Sequence, residues 1–213
     1  AFEYRAQIVL WLLANAFPLV MMAVWLALVS EVGVIQGWGQ ADFISYYLAT
    51  SVVTQITVSG LTWAWDEEVR LGDLSVKLLK PLDPLHQLVV LELMSWKVLV
   101  VALIAPLLIV LALASPLVNY TTDPLLLLLF AVTLLAALVM NVFLSSFFGM
   151  LAFWITTSRN LFSLVYGVGQ FLSGYIAPMA LFPQEVQNLA RLLPFRSYLG
   201  LPVETLLGRL TPA

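Results

Sequence analysis

The sequence predicts an all-α fold, a polytopic bundle of membrane-spanning helices, on three observations. Of the 213 residues, 62% are hydrophobic and only 10% are charged. A soluble domain carries about 25% charged residues and uses them to cover its surface. The mean hydropathy is +1.00. The charged residues are also unevenly spread, leaving long charge-free runs between them.

These runs lie between Ala6 and Ser30, Phe43 and Trp65, Val98 and Thr122, Pro124 and Ser158, and Asn160 and Gln184. A helix of about 20 residues crosses the roughly 30 Å hydrocarbon core, so each run is long enough to span. The expected spans are about 6–30, 43–65, 98–116, 125–151 and 160–180. The first run is too long for the apolar core of a cleavable signal peptide. Because the sequence opens on Ala1 rather than Met, the natural N-terminus is expected to precede it. The second run is the most polar, with Thr50, Ser51, Thr54, Gln55, Thr57, Ser59 and Thr62, groups that prefer protein or water to lipid. The fourth exceeds one simple crossing and could be a tilted helix or two short segments. The lack of a turn signal in its middle favours one helix.

Lys and Arg concentrate in cytoplasmic loops. Arg5, Arg159 and the group Arg70, Lys77, Lys80 and Lys97 therefore mark the cytoplasmic face. The loops 31–42 and 116–123 hold no Lys or Arg and are expected outside. This gives a multi-pass chain in a cell (plasma or inner) membrane with a cytoplasmic N-terminus. Arg191, Arg196 and Arg209 run against the pattern, because five spans put the tail outside.

The one substantial polar stretch is 66–97. Leu71, Leu74 and Leu78 share a helical face, Asp73 and Lys77 form an i,i+4 pair in the favourable order, and Pro81 and Pro84 stop the helix. A short amphipathic helix at the cytoplasmic surface is expected. It is either a plain connector or a docking element whose charges set register and whose leucines enter a partner's groove.

Patterns that carry catalysis are absent. There is no cysteine, so disulfides and thiolate chemistry are excluded. There is no Walker A sequence, no His-Glu-x-x-His and no Gly-x-Ser-x-Gly. The net charge of −3, with no dense basic cluster, gives no reason to expect nucleic acid. His86 reads as an interfacial residue, and Glu92 and Lys97 as charges near enough to the interface to snorkel. Asn15, Gln55, Asn141 and Gln170 are polar within apolar runs; they serve interhelical hydrogen bonds, or, for Gln55, Asn141 and Gln170, a substrate path. Ser145 with Gly149, and Gly167 with Gly174, are small-residue pairs suited to close helix packing.

Two stretches carry a family resemblance. Glu68-x-Arg70-x-Gly72-x-Leu74 followed by Leu78-Leu79-Lys80-Pro81-Leu82 resembles the first intracellular loop of ABC-2 type transporter permeases. Phe171-Leu172-Ser173-Gly174-Tyr175-Ile176-Ala177-Pro178, then Leu181-Phe182-Pro183, Leu192-Leu193-Pro194-Phe195, Pro202 and Gly208, resembles that family's kinked end of the fifth helix and its external re-entrant region. The resemblance covers nearly the whole chain in layout. It implies one permease domain over 1–213 with six transmembrane helices. Five are present, and the sixth is expected to lie outside this sequence.

The resemblance also implies a coupling helix within 66–97 that docks on a separate ATP-binding cassette subunit, with Glu68, Arg70, Gly72, Leu74, Lys80 and Pro81 at the contact. Two permease subunits, identical or related, would complete an exporter. ATP and Mg would sit on the partner, and this chain would bind no cofactor or metal and have no ATPase site. Residues 182–208 would be the external re-entrant region, kinked at Pro178, Pro183 and Pro194. Two other readings compete. A membrane-embedded enzyme acting on a lipid or isoprenoid would need convergent acids or metal ligands, for which Asp66, Glu67 and Glu68 are the one acidic cluster. A secondary transporter would need internal repeats and mid-membrane charges, and neither is evident.

Overall fold

A computed structural model describes residues 16–92, 98, 102, 106, 110, 117–156 and 158–210. Asn15, Lys97, the start of the first expected span and most of the third lie outside the described residues. The described residues are helical, with no strand beyond an isolated Ile35–Trp38 bridge.

Helix α1 covers Phe17–Val32, with a proline in its first turn where no amide partner is lost. It stops at Gly33, whose φ of +88° only glycine adopts freely. Helix α2, Gln40–Thr57, starts where the Asp42 carboxylate accepts from the Gly39 amide at 2.9 Å. Helix α3 is Leu61–Leu71, α4 is Leu74–Leu78 and α5 is Pro84–Glu92. Helix α6, Pro124–Met150, is capped by Asp123, which accepts from the Leu125 amide at 2.9 Å. With its closing 3-10 turn it runs to Phe153, a 30-residue helix. Among the described residues it is the one helix long and apolar enough to cross a membrane. Helix α7 is Ser158–Leu172, and α8 (Gln184–Leu192), α9 (Phe195–Tyr198) and α10 (Gly200–Leu206) follow the kink.

Two expectations are corrected. The second run, 43–65, is not one helix: α2 ends at Thr57, Val58 turns extended, and α3 begins at Leu61. The break is stable because other side chains take its freed backbone groups, as described below. The stretch 66–80 is not one amphipathic helix either. Its first residues belong to α3, and Gly72, at φ +79°, ends that helix before α4 begins. Of the three leucines expected on one face, Leu74 is buried while Leu71 and Leu78 are about two-thirds exposed. Lys77 pairs with Glu68 rather than Asp73. Pro84 starts α5 instead of closing a helix, in keeping with its preference for a first turn.

Three buried clusters organise the packing. The largest joins α1 and α2 to α6, α9 and α10 around Val29, Phe43, Tyr46, Tyr47, Ala137 and Val203. A second gathers Leu61, Trp65, Leu74 and Leu88 of α3, α4 and α5 against α6. A third packs Leu172 and Met179 against Ala190 of α8. Most of α6's outer surface remains apolar and exposed, including Leu128, Leu135, Val139, Phe143 and Phe147, as a lipid-facing helix requires.

Candidate functional site

The polar segment after α2 is built on a close approach. A Cβ placed on Gly149 would lie 2.6 Å from Trp65 Cβ, so α6 and α3 touch through that glycine. One turn earlier, Ser145 accepts from the Thr62 amide at 2.8 Å, and the Thr62 hydroxyl donates to the Ser145 carbonyl at 2.8 Å. Ser145 and Gly149 therefore lie together against α3. Glu92 also reaches the helix break: its carboxylate accepts from the Gly60 amide at 2.8 Å and from Ser59 Oγ at 3.3 Å, while the Leu61 amide donates to Ser59 Oγ at 3.4 Å. Glu92, expected to snorkel, closes the break instead.

Asp66 is the hub of the segment. It is 1% exposed, yet three partners reach its carboxylate. Arg70 Nε lies 2.8 Å and Arg159 Nε 2.6 Å from one oxygen, and the Ser158 hydroxyl donates to the other at 2.6 Å. Arg70 also donates to the Thr156 carbonyl, and Arg159 to the Trp63 carbonyl at 3.4 Å. Burial alone pushes the Asp66 carboxyl pKa up. The Ser158 hydroxyl and the two guanidiniums outweigh it and hold the group below its ordinary value. Arg159 is thus a strut between α7 and α3 as well as a basic loop residue. No local sequence signal reveals this, because its partner is 93 positions away, from 66 to 159.

Beyond Gly72 the segment turns outward. Leu71, Leu78 and Leu82 are about two-thirds exposed and Leu79 is 86% exposed. Lys80 and Pro81 are exposed beside them. Next to α4 an open, largely apolar groove is lined by Leu74, Leu78, Leu85, Met150, Phe153 and Trp154. Of the residues expected to share a contact surface, Lys80 and Pro81 do face outward, whereas Arg70 points at Asp66, Glu68 holds Lys77 and Leu74 is buried.

The far end is closed tightly. Gly174, at φ +91°, turns the chain after α7, and the Tyr46 hydroxyl donates to its carbonyl at 2.6 Å. The Tyr47 hydroxyl and Trp25 Nε1 donate to the Ile176 carbonyl at 2.6 and 3.2 Å. Pro178, Pro183 and Pro194 each directly precede a helical turn rather than interrupting one. The expected Gly167–Gly174 face does not form. Gly167 faces open space and Gly174 lies past the helix end, while Gly169 makes the close contact, its Cβ position 2.7 Å from Phe195 Cδ1. The three tail arginines include two that are neutralised: Arg196 pairs with buried Glu204 at 2.6 Å, and Arg209 pairs with Asp42 at 2.9 Å while lying over the Trp38 ring.

Of the polar residues expected along a path, Asn141 and Gln170 line one narrow crevice with Thr54, Thr57, Tyr166 and Tyr198, with room for about one water molecule. Gln55 is half-buried and does not line it.

A helical, lipid-exposed scaffold with a charge-stitched segment on one side and a proline-kinked region on the other has a counterpart among known families. The sequence profile of the family described as "ABC-2 family transporter protein" matches residues 16–213. The chain belongs to that ABC-2 transporter family. No curated protein and no solved structure gives a significant match. As an ABC-2 permease, the chain is a membrane-embedded transport component of the ABC transporter class, and a family member has no ATPase site of its own.

Proposed function

We propose that this permease is the transmembrane subunit of an ABC exporter, driven through its 66–97 segment by a separate ATP-binding cassette subunit carrying ATP and Mg. A second permease subunit, identical or related, completes the transport unit. The chain lies multi-pass in the plasma or inner membrane with a cytoplasmic N-terminus. Residues 182–208 form the external region. Asn141, Gln170 and Gln55 belong to the path, shut in this conformation.

One observation carries the docking assignment. Four leucines of the segment, Leu71, Leu78, Leu79 and Leu82, stay exposed beside an apolar groove even though the same segment is internally fixed by ion pairs. Rigid backing with uncovered apolar side chains is what a groove-seeking contact needs. Energy enters as differential binding of this surface by the partner's nucleotide states. Glu68, Arg70, Gly72 and Leu74 shape the contact from behind; Leu79, Lys80 and Pro81 make it.

The test is co-purification of the membrane chain with its cognate ATP-binding subunit. Leu79→Ser combined with Lys80→Glu is expected to abolish association while leaving the permease folded. Retained association and retained ATPase coupling would reject the assignment.

A further inference from the structure

Resting on the docking assignment above, we infer that Asp66 is the positioning residue that joins the docking segment to α7, so that motion of the segment is carried across the chain along α7 rather than back through α2. Sequence continuity suggests the opposite route, because α2 runs into α3. The bonding favours α7. Between α2 and α3 the helix is interrupted over Val58–Gly60, and the interruption is closed by side chains of Glu92 and Ser145 rather than by a continuous backbone ladder. Between α3 and α7 there is a charged joint instead. A buried carboxylate takes both guanidiniums and the Ser158 hydroxyl, and each guanidinium also reaches a backbone carbonyl on the opposite side of the seam.

The apolar seam continues this joint. Trp63 of α3 packs edge-on against Phe162 of α7 with ring centroids 5.5 Å apart. Helix α7 then runs 15 residues, about 22 Å, to the Gly174 turn and the external helices. Gly169 near its end presses on Phe195, which opens α9. The docking segment and the external region are thus the two ends of one lever, and Asp66 fixes the lever to the segment. Asparagine at 66 keeps the shape and one acceptor oxygen but removes the charge that holds both arginines.

These 213 residues hold no cysteine, so an introduced thiol is the one labelled site within them. Single cysteines replace Val76 of α4 on the docking side, 58% exposed and outside the proposed contact, and Leu192 on the external side, 84% exposed. Labelling rates are then measured in the assembled complex with and without ATP. In the otherwise wild-type chain, both sites are expected to change rate on adding ATP. In Asp66→Asn, Val76→Cys should still respond while the ATP response at Leu192→Cys falls by about fivefold or more. A residue that only stabilises the fold would lower the two responses together rather than the external one alone.

Arg159→Gln, half-exposed and leaving the Asp66–Arg70 pair, serves as the second variant should Asp66→Asn fail to assemble, and should show the same one-sided loss. A full external response in either assembled variant overturns the Asp66 inference. An unresponsive Val76 site in the otherwise wild-type chain instead overturns the docking assignment itself.

Discussion

The turn after α7 and the turn after α3 both hinge on a glycine with positive φ, Gly174 and Gly72. They are finished in opposite ways. At Gly174 two tyrosine hydroxyls and an indole N–H cover the carbonyls of the turn, and a Cβ there would lie 2.5 Å from the Tyr46 oxygen. At Gly72 a Cβ would meet nothing within 4 Å, and the leucines beyond it stand in the open. The contrast is between a turn covered by its own chain and a turn whose apolar neighbours stand uncovered. Buried carbonyls need internal partners, which explains the first. The second is the one the proposed docking partner would cover.

The comparison is broken most severely at the sealed end. Arg196→Ala removes the guanidinium paired with the buried Glu204 carboxylate and is expected to cost about 3–5 kcal/mol, read as a lower unfolding midpoint in detergent. Gly174→Ala adds backbone strain to a clash with the Tyr46 hydroxyl and is expected to cost about 3 kcal/mol, whereas Gly72→Ala meets only the backbone term, about 1 kcal/mol. Equal losses at the two glycines would dissolve the distinction between the turns. Between the two regions, Gly149→Val forces α6 off α3 at a cost of about 1–3 kcal/mol.

A pH series sharpens the picture of the segment. The folded Asp66 pKa lies below that of an unfolded aspartate, about 4. Its stabilisation is therefore complete above about pH 4 and disappears as the pH falls through the lower folded value. Wild-type unfolding midpoints should show this acid step, and Asp66→Asn should lack it. The smallest effect is at the open surface. Leu79→Ser should change stability by less than about 0.5 kcal/mol while weakening association with the ATP-binding subunit.

Hydropathy alone made the membrane class legible, because burying this many apolar residues in water-facing helices is impossible at 10% charge. The proline and glycine punctuation located the kinked region. The helix break at 58–60 was not legible: Val58, Ser59 and Gly60 are neutral, and a hydropathy reading runs straight through them. Its seal comes from Glu92 and Ser145, residues far along the chain whose side chains carry no sign of their target. The same holds for Arg159 and Asp66. The choice between Gly167 and Gly169 was equally hidden, since two residues differ by about 200° around a helix and only the position of Phe195 decides which one is crowded.

The break between α2 and α3 also sets a clock. The Gly60 and Thr62 amides are held by side chains, the carboxylate of Glu92 and the hydroxyl of Ser145. Releasing an amide from a helix requires unwinding neighbouring turns together, whereas releasing one from a side chain requires only a rotamer change. Glu92 is partly exposed and changes rotamer in nanoseconds, Ser145 is buried, and local opening of ordered structure takes microseconds or longer. Release of the Gly60 amide can therefore follow any slower bending at this point without limiting its rate.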